Sequence, residues 1–123
     1  MSDSRLGGDW IHDVDLHEFD RRVLGASHTV PVLVDFWAAW CAPCLVIDPV
    51  LRSLVADYGG RVRLARVEVD EGENMKLAGR YQVRGFPTVI LFRDGRVVDR
   101  FSSARPRPFI EGFLERHGVR RPG

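Results

Sequence analysis

The chain has 123 residues, of which 45% are hydrophobic and 28% are charged; this size and composition are typical of one globular domain with its own core. Its 18 Lys and Arg residues and 17 Asp and Glu residues leave a formal charge of +1, which excludes the strong basic field that nucleic-acid binding needs. The longest uncharged stretch, residues 36–47, is too short to span a bilayer, so no membrane association is expected.

The amino-terminal segment bears on the compartment. Residues 1–10 are mostly polar and lack the apolar core of a secretory signal peptide. We therefore expect a cytoplasmic protein. In that compartment thiols stay reduced, and a pair of cysteines is more often catalytic or metal-binding than structural.

The first part of the chain predicts two strands with a helix between them. A short strand is expected over residues 10–14. Asp15 and Glu18 have the spacing of a capping box, which opens a helix. The apolar side of this helix is formed by Leu16, Phe19, Val23 and Leu24. A loop is expected over residues 25–29, and the apolar run 32–37 predicts a strand buried on both faces.

The rest of the chain continues to alternate between helix and strand. Helical spacing predicts a helix from Cys41 to Tyr58, followed by a strand over residues 62–69. A shorter helix is indicated by Met75, Leu77, Ala78 and Tyr81. A strand over 88–92, a tight turn at Asp94 and Gly95, a strand over 97–101 and a last helix from Pro106 to Gly118 complete the series.

This order, β-α-β-α-β-α-β-β-α, predicts an α/β fold with a mixed central sheet and helices on both faces. Strands that alternate with helices pair in parallel, whereas the Asp-Gly hairpin requires an antiparallel pair. The predicted domain covers residues 10–118. Residues 1–9 are expected to form a flexible tail, and residues 119–123 a second one.

The two cysteines of the chain, Cys41 and Cys44, follow a buried strand and open a helix. A bridge between them closes so short a loop that the chain-entropy estimate is only about 2 kcal/mol. Unpaired backbone N–H groups and the helix dipole favour a thiolate at Cys41. Cys44, one turn further on, should be less accessible. An exposed nucleophile with a sheltered partner is what thiol–disulfide exchange requires.

Two other interpretations of the pair are weaker. A zinc site would need two more ligands, but the chain has no other cysteine. The four histidines, which lack paired spacing, are His12, His17, His28 and His117. A purely structural disulfide contributes little for so short a loop. Redox chemistry is therefore favoured over both.

Longer motifs surround the cysteine pair in the order of a known family. They are residues 34–38 (VDFWA), 40–44 (WCAPC), 85–88 (GFPT) and 92–95 (FRDG), together with Pro49 and Asp70. With these motifs the chain resembles the thioredoxin family over about residues 10–117. The resemblance implies the thioredoxin fold and an enzyme that reduces protein disulfides through Cys41 and Cys44.

The resemblance also implies roles for individual residues. Asp35, in an apolar strand, would serve as the base for the Cys44 thiol; the alternative is a carboxylate with a local hydrogen-bond partner and no catalytic part. Phe86–Pro87 would be a cis peptide against the cysteines. The expected substrate surface comprises Trp40, Ala42, Pro43, Phe86, Pro87 and Ser103.

Partners follow from the same resemblance. Electrons would come from NADPH through a flavin-containing thioredoxin reductase, and the substrates would be proteins with disulfides. No cofactor or metal is expected on the chain itself, which should be a monomer.

Several positions depart from the family pattern. Ala42 replaces a glycine between the cysteines, Leu45 replaces a cation after Cys44, and Arg66 replaces a lysine near the buried aspartate. Ser103 lies where a glycine usually admits partner backbone. The loop over residues 71–74 accounts for about two additional residues.

These departures keep two alternatives open. One is a more oxidising disulfide oxidase or isomerase, suggested by Ala42 and the missing cation. The other is a binding module, a holdase that grips unfolded chains with an apolar rim near Leu45 and Ser103.

Overall fold

The computed structural model describes residues 8–123. Among these residues it contains five strands and three α-helices: β1 (Ile11–Asp13), β2 (Val32–Trp37), α1 (Ala42–Asp57), β3 (Arg63–Glu68), α2 (Met75–Arg80), β4 (Thr88–Arg93), β5 (Arg96–Ser102) and α3 (Arg107–Glu115). Most of the predicted tail, residues 1–7, lies outside the described part of the chain. A short 3-10 turn, Gly8–Trp10, precedes β1.

The strands form one mixed sheet in the order β1-β3-β2-β4-β5. β3 pairs in parallel with β1 and β2, whereas β4 is antiparallel to both β2 and β5. The predicted mixed sheet is thus confirmed. The central strand β2 has five of its six residues buried, because it is flanked by strands on both edges and by packed layers on both faces.

Each face of the sheet carries its own apolar cluster. α1 and α3 cover one face, where Leu51 and Phe113 pack with Leu33 of β2. The opposite face is covered by Phe19 and Leu77, which belong to the segment before β2 and to α2. Helices on both faces were predicted, and the structure confirms them.

The segment between β1 and β2 is helical over a longer range than predicted. The capping box is confirmed: the Glu18 N–H donates to Asp15 Oδ1 over 3.0 Å, and the Asp15 N–H donates to Glu18 Oε1 over 3.2 Å. A π-helix, Asp20–Gly25, leads directly into a 3-10 helix, Ala26–His28. The loop expected over residues 25–29 was therefore wrong.

Contacts with the β4–β5 turn explain this longer helical range. The Gly95 N–H donates to Ser27 Oγ over 2.8 Å, and the Asp94 N–H donates to the Ser27 carbonyl over 2.9 Å. Asp94 and Gly95 both have positive φ, 55° and 78°, as the predicted Asp-Gly turn requires. These hydrogen bonds, one of which spans 68 positions, hold the end of the helical segment in place.

Two further details differ from the sequence pattern. Met75, expected on the apolar side of α2, is 49% exposed. Its neighbour Asn74 is buried instead: its Oδ1 accepts from the Leu16 N–H and its Nδ2 donates to the Glu68 carbonyl, both over 2.9 Å. Asn74 therefore ties the 71–74 loop to the segment that follows β1.

The carboxyl-terminal part closes the α1–α3 face. α3 begins after Pro106, and Gly118 follows it with φ 76°. Val119 is buried in the same cluster as Phe113. Within residues 8–123, no helix has the length and apolar character that crossing a bilayer would require.

Candidate active site

The amino-terminal end of α1 holds the two cysteines. Cys41 is the N-cap, with extended backbone angles, and Pro43 occupies the first turn, where its missing N–H costs no helical hydrogen bond. Cys41 and Cys44 form a disulfide with 5.3 Å between their Cα atoms. The predicted helix start is confirmed, and it brings the two sulfur atoms within bonding reach.

Accessibility differs between the two sulfurs less than expected. Cys41 is 5% exposed and Cys44 is 1% exposed. The expectation of an exposed Cys41 was wrong for the oxidised pair, because the bridge turns its sulfur toward Cys44 and into the apolar cluster that both residues join. Cys41 remains the more accessible of the two.

The backbone provides a hydrogen bond to the Cys41 sulfur. The Cys44 N–H donates to Cys41 Sγ over 3.3 Å. This N–H is one of those that a helix leaves unpaired in its first turn, at the positive end of the helix dipole. In the reduced protein the same donor would favour a thiolate at Cys41 and lower its proton affinity.

A buried carboxyl, Asp35, lies in the middle of β2. It is 1% exposed, and within residues 8–123 neither of its oxygens has a hydrogen-bond partner. Burial raises the pKa of Asp35 from 3.8 to about 7; Arg66 and Arg52 lower it, and Asp48 adds to the rise. The carboxyl can therefore take up and release a proton near neutral pH.

Arg66 is next to Asp35 in the sheet but bonds to other acids. The two residues share a register position on β2 and β3. The Arg66 guanidinium donates from Nε to Asp48 over 2.9 Å and from Nη1 to Asp13 over 2.6 Å, and it lies 4.4 Å from the centroid of the Trp37 ring. Trp37 therefore packs beneath this ion cluster.

Residues distant in the chain meet beside the disulfide. The Phe86–Pro87 peptide is cis, as the resemblance implied. Phe86 makes an edge-to-face contact with Trp40, with 6.0 Å between ring centroids. The Ser103 N–H donates to the Pro87 carbonyl over 3.1 Å. The structure thus brings together four of the predicted substrate-surface residues, Trp40, Phe86, Pro87 and Ser103.

The backbone at Ser103 keeps a conformation that glycine favours. Its φ is 77°, and its side chain is exposed. The sequence pattern suggested a glycine position here, and the left-handed backbone agrees with it. The serine therefore places an exposed side chain on this surface, in a backbone conformation that glycine adopts more easily.

Exposed apolar side chains flank the disulfide on α1 and the preceding loop. Trp40 is 68%, Leu45 54% and Val46 61% exposed. Ala42 and Pro43, the other predicted surface residues, are also exposed. Sequence reasoning missed Val46, although it is the second of two consecutive apolar residues after Cys44 and could have been noticed.

Sequence reasoning also missed two acidic residues that form hydrogen bonds with side chains near the site. Asp70 stood in the family motif without a role, yet its Oδ2 accepts the Trp40 indole N–H over 2.6 Å. Asp48 was given no role from the sequence, yet it accepts a hydrogen bond from Arg66. Over the described part of the chain, His, Cys, Asp and Glu side chains form no cluster of three or more that could hold a metal ion.

Comparisons with known proteins agree on one relationship. The thioredoxin family model matches residues 11–116. The chain is 44% identical over 112 residues to "Thioredoxin 2" of Chlorobaculum tepidum, covering 91% of this chain and 98% of that protein. It is 42% identical to the thioredoxin of Chlorobaculum thiosulfatiphilum over 70% of this chain and 78% of that one. For a Staphylococcus aureus thioredoxin the identity is 44%, over 69% and 80%.

Proposed function

The chain belongs to the thioredoxin family and is a protein dithiol–disulfide oxidoreductase; we propose that Cys41 is its nucleophile, Cys44 its resolving thiol and Asp35 the base that serves Cys44. The observation that carries this assignment is the Cys41–Cys44 bridge at the start of α1, with the Cys44 N–H directed at Cys41 Sγ. A sulfur in that position is stabilised as the thiolate that attacks and as the thiolate that leaves.

The proposed reaction has two exchange steps. The Cys41 thiolate attacks one sulfur of a substrate disulfide; a bond forms between Cys41 and that sulfur, and the other substrate sulfur leaves as a thiolate. Asp35 then takes the proton of the Cys44 thiol, and the Cys44 thiolate attacks Cys41 Sγ. The mixed disulfide breaks, the Cys41–Cys44 bridge forms, and two electrons have passed to the substrate.

Asp35 suits the role of base for two reasons. Its pKa, about 7, lies close to neutral pH, so the ionised and protonated forms are both populated there. Among residues 8–123 its oxygens have no hydrogen-bond partner, which speaks against the alternative of a structural carboxylate held by a local donor. Asp48 acts on Asp35 from α1 and lies one turn after Cys44, on the same side of that helix.

The proposed substrate surface combines an apolar platform with free backbone groups. Trp40 and Phe86 provide the platform, and Ala42, Pro43 and Ser103 are exposed beside it. The Pro87 carbonyl is occupied by Ser103, whereas the Phe86 backbone N–H and C=O have no hydrogen bond within the described residues. An extended substrate segment would pair with these two groups.

The electron source and the setting complete the proposal. Electrons would come from NADPH through a flavin-containing thioredoxin reductase, which would dock on the same surface and reduce the Cys41–Cys44 bridge. The protein itself would bind no cofactor and would act in electron transfer as a cytoplasmic monomer. The oxidase or isomerase and the holdase alternatives are not favoured, since the relatives that cover most of the chain are named thioredoxins.

The test is reduction of insulin disulfides with two alternative electron donors. With NADPH and a thioredoxin reductase, the wild-type protein should reduce insulin, and Cys41→Ser should not. With dithiothreitol as donor, the chemistry is measured without reductase docking. If the protein reduces insulin with dithiothreitol as donor but not with NADPH and the reductase, the oxidoreductase activity stands and the proposed reductase partner is contradicted. Aggregation protection that persists in a Cys41→Ser, Cys44→Ser double variant, with negligible reductase activity in the wild type, would instead favour the holdase.

A further inference from the structure

Asp48 links the cysteine helix to the cation nearest the buried carboxyl. It belongs to α1, one turn after Cys44. Its Oδ1 accepts from Arg66 Nε and its Oδ2 accepts from Arg52 Nε, each over 2.9 Å. One carboxylate therefore binds two guanidinium groups at once.

This arrangement withdraws Arg66 from Asp35. Arg66 and Asp35 share a register position, and on paired strands such residues point to the same face of the sheet. The guanidinium nevertheless uses Nε for Asp48 and Nη1 for Asp13. Arg66 also lines an open pocket of about 330 Å³ together with Asp13 and Trp37, and Asp35 is not among the residues that line it.

The charges around Asp35 come from a small set of residues. β3 contributes Arg66, α1 contributes Asp48 and Arg52, and β4 places the uncharged Val89 opposite Asp35. Arg66 and Arg52 favour the ionised carboxyl, whereas Asp48 opposes it. Asp13 on β1 also binds Arg66, but its side chain is 79% exposed, so solvent screens its charge. The side chains of Asp48 and Arg66 are more buried, with only 23% and 11% of their surface exposed.

We propose that Asp48 is a positioning residue for the resolving step: it holds the Arg66 and Arg52 guanidinium groups away from the Asp35 carboxyl and offsets their charge, which leaves that carboxyl able to carry a proton for Cys44. The proposal rests on the base role of Asp35 given above. It assigns a function to a residue outside the cysteine and proline motifs.

The electrostatic consequence is directional. Without the charge of Asp48, two cations face Asp35 uncompensated, and its ionised form becomes more favourable. Without Arg52, one cation is lost and the ionised form becomes less favourable. If Asp48 and Arg52 merely held α1 in place, removal of either side chain would loosen the packing around Asp35. Both substitutions would then shift the titration of Asp35 in the same direction.

The experiment is a titration of the Asp35 carboxyl carbon by NMR in the oxidised protein, where no thiol titrates. Asp35→Asn identifies the resonance. Relative to the wild-type midpoint, Asp48→Asn should lower the midpoint by roughly one pH unit, Arg52→Gln should raise it, and Asp48→Glu should restore it. Asp13→Asn, which removes the other acid from Arg66, is the matched control and should leave it nearly unchanged. Equal midpoints in wild type, Asp48→Asn and Arg52→Gln would overturn the inference, as would shifts of one sign.

A second measurement separates this inference from the role of Asp35 itself. The pH dependence of insulin reduction by dithiothreitol should shift in the same direction as each titration midpoint. If the midpoints shift and the rate profiles do not, Asp48 tunes Asp35 as inferred, and the base role of Asp35 fails. If the midpoints do not shift while Asp35→Asn still slows the reaction, the base role stands and the inference about Asp48 fails.

Discussion

The Trp40 indole N–H donates to Asp70 Oδ2 over 2.6 Å, although the two residues are 30 positions apart. Trp40 immediately precedes Cys41, and Asp70 follows the end of β3. The ring is 68% exposed, so this hydrogen bond and the edge contact with Phe86 are its main restraints. The bond therefore holds an apolar platform in one orientation beside the disulfide.

Removal of this acceptor should loosen the platform without touching the thiols. We expect Asp70→Ala to raise KM for a protein disulfide about two- to fivefold, with little change in kcat. That range corresponds to about 0.4–1 kcal/mol, because the hydrogen bond only orients an exposed ring and does not itself bind the substrate. The Trp40 indole N–H should also exchange faster with solvent in NMR spectra. Asp70→Asn, which keeps an acceptor, is the control. Unchanged KM and exchange in Asp70→Ala would show that Asp70 does not hold the ring.

The two cysteines should fail in different ways. Cys41→Ser should abolish turnover, because it removes the proposed nucleophile and leaves only Cys44, the less accessible of the two sulfurs. Cys44→Ser should accumulate a mixed disulfide between Cys41 and the substrate, since the resolving thiol is gone. Mass spectrometry of the quenched reaction measures both. Turnover by Cys41→Ser would contradict the order of attack, and a covalent adduct at Cys44 in that variant would reverse it.

Asp35 should make stability depend on pH. Its pKa in the folded protein is about 7, against 3.8 ordinarily, so the folded protein keeps a proton that the unfolded chain has released between those values. The free energy of unfolding should therefore fall as pH rises from about 4 to 7, by at most about 4 kcal/mol. Above pH 7, Asp35→Asn should be more stable relative to wild type than it is at pH 4.

Urea denaturation of the oxidised protein at several pH values measures this dependence. An unpaired asparagine amide carries its own cost at every pH, so the slope with pH rather than the absolute stability is the readout. Asp13→Asn, at an exposed site, should follow the wild-type slope. Parallel curves for wild type and Asp35→Asn would mean that Asp35 titrates at its ordinary value.

Ser103 should report on backbone strain at the substrate surface. A residue with a Cβ at φ 77° carries roughly 1–2 kcal/mol of strain. Glycine removes that strain, but because the unfolded chain is then more flexible, folding loses more conformational entropy, at a cost of about 0.5–1 kcal/mol. We expect Ser103→Gly to be about 0.5 kcal/mol more stable. Ser103→Val should be less stable by about 1–2 kcal/mol, because a β-branched residue tolerates this region poorly. Urea denaturation checks both, and a more stable valine variant would contradict the argument.

The local sequence pattern was sufficient to predict most helices and strands. It failed where contacts between distant residues determine the bounds of an element. The bounds of β2 match the nearly continuous apolar run at residues 32–37, which only Asp35 interrupts, because a strand buried on both faces is apolar at almost every position. The helix after the capping box was predicted, but its continuation as the 3-10 helix Ala26–His28 was missed, since hydrogen bonds from Asp94 and Gly95 to Ser27 hold that part. Periodicity within the helical segment contains no information about a turn 68 positions away.

The sequence by itself determined the chemistry of this protein: two cysteines at the start of a helix, an aspartate within an apolar strand and the motifs of one family. Those features are local, and the physics that makes them reactive, a helix end and a desolvated carboxyl, acts over one turn or one strand. Only the tertiary structure decided which charged groups lie around that carboxyl. Arg66 is shared by Asp48 and Asp13 because packing brings α1, β1 and β3 together, and charge interactions depend on those distances rather than on order along the chain.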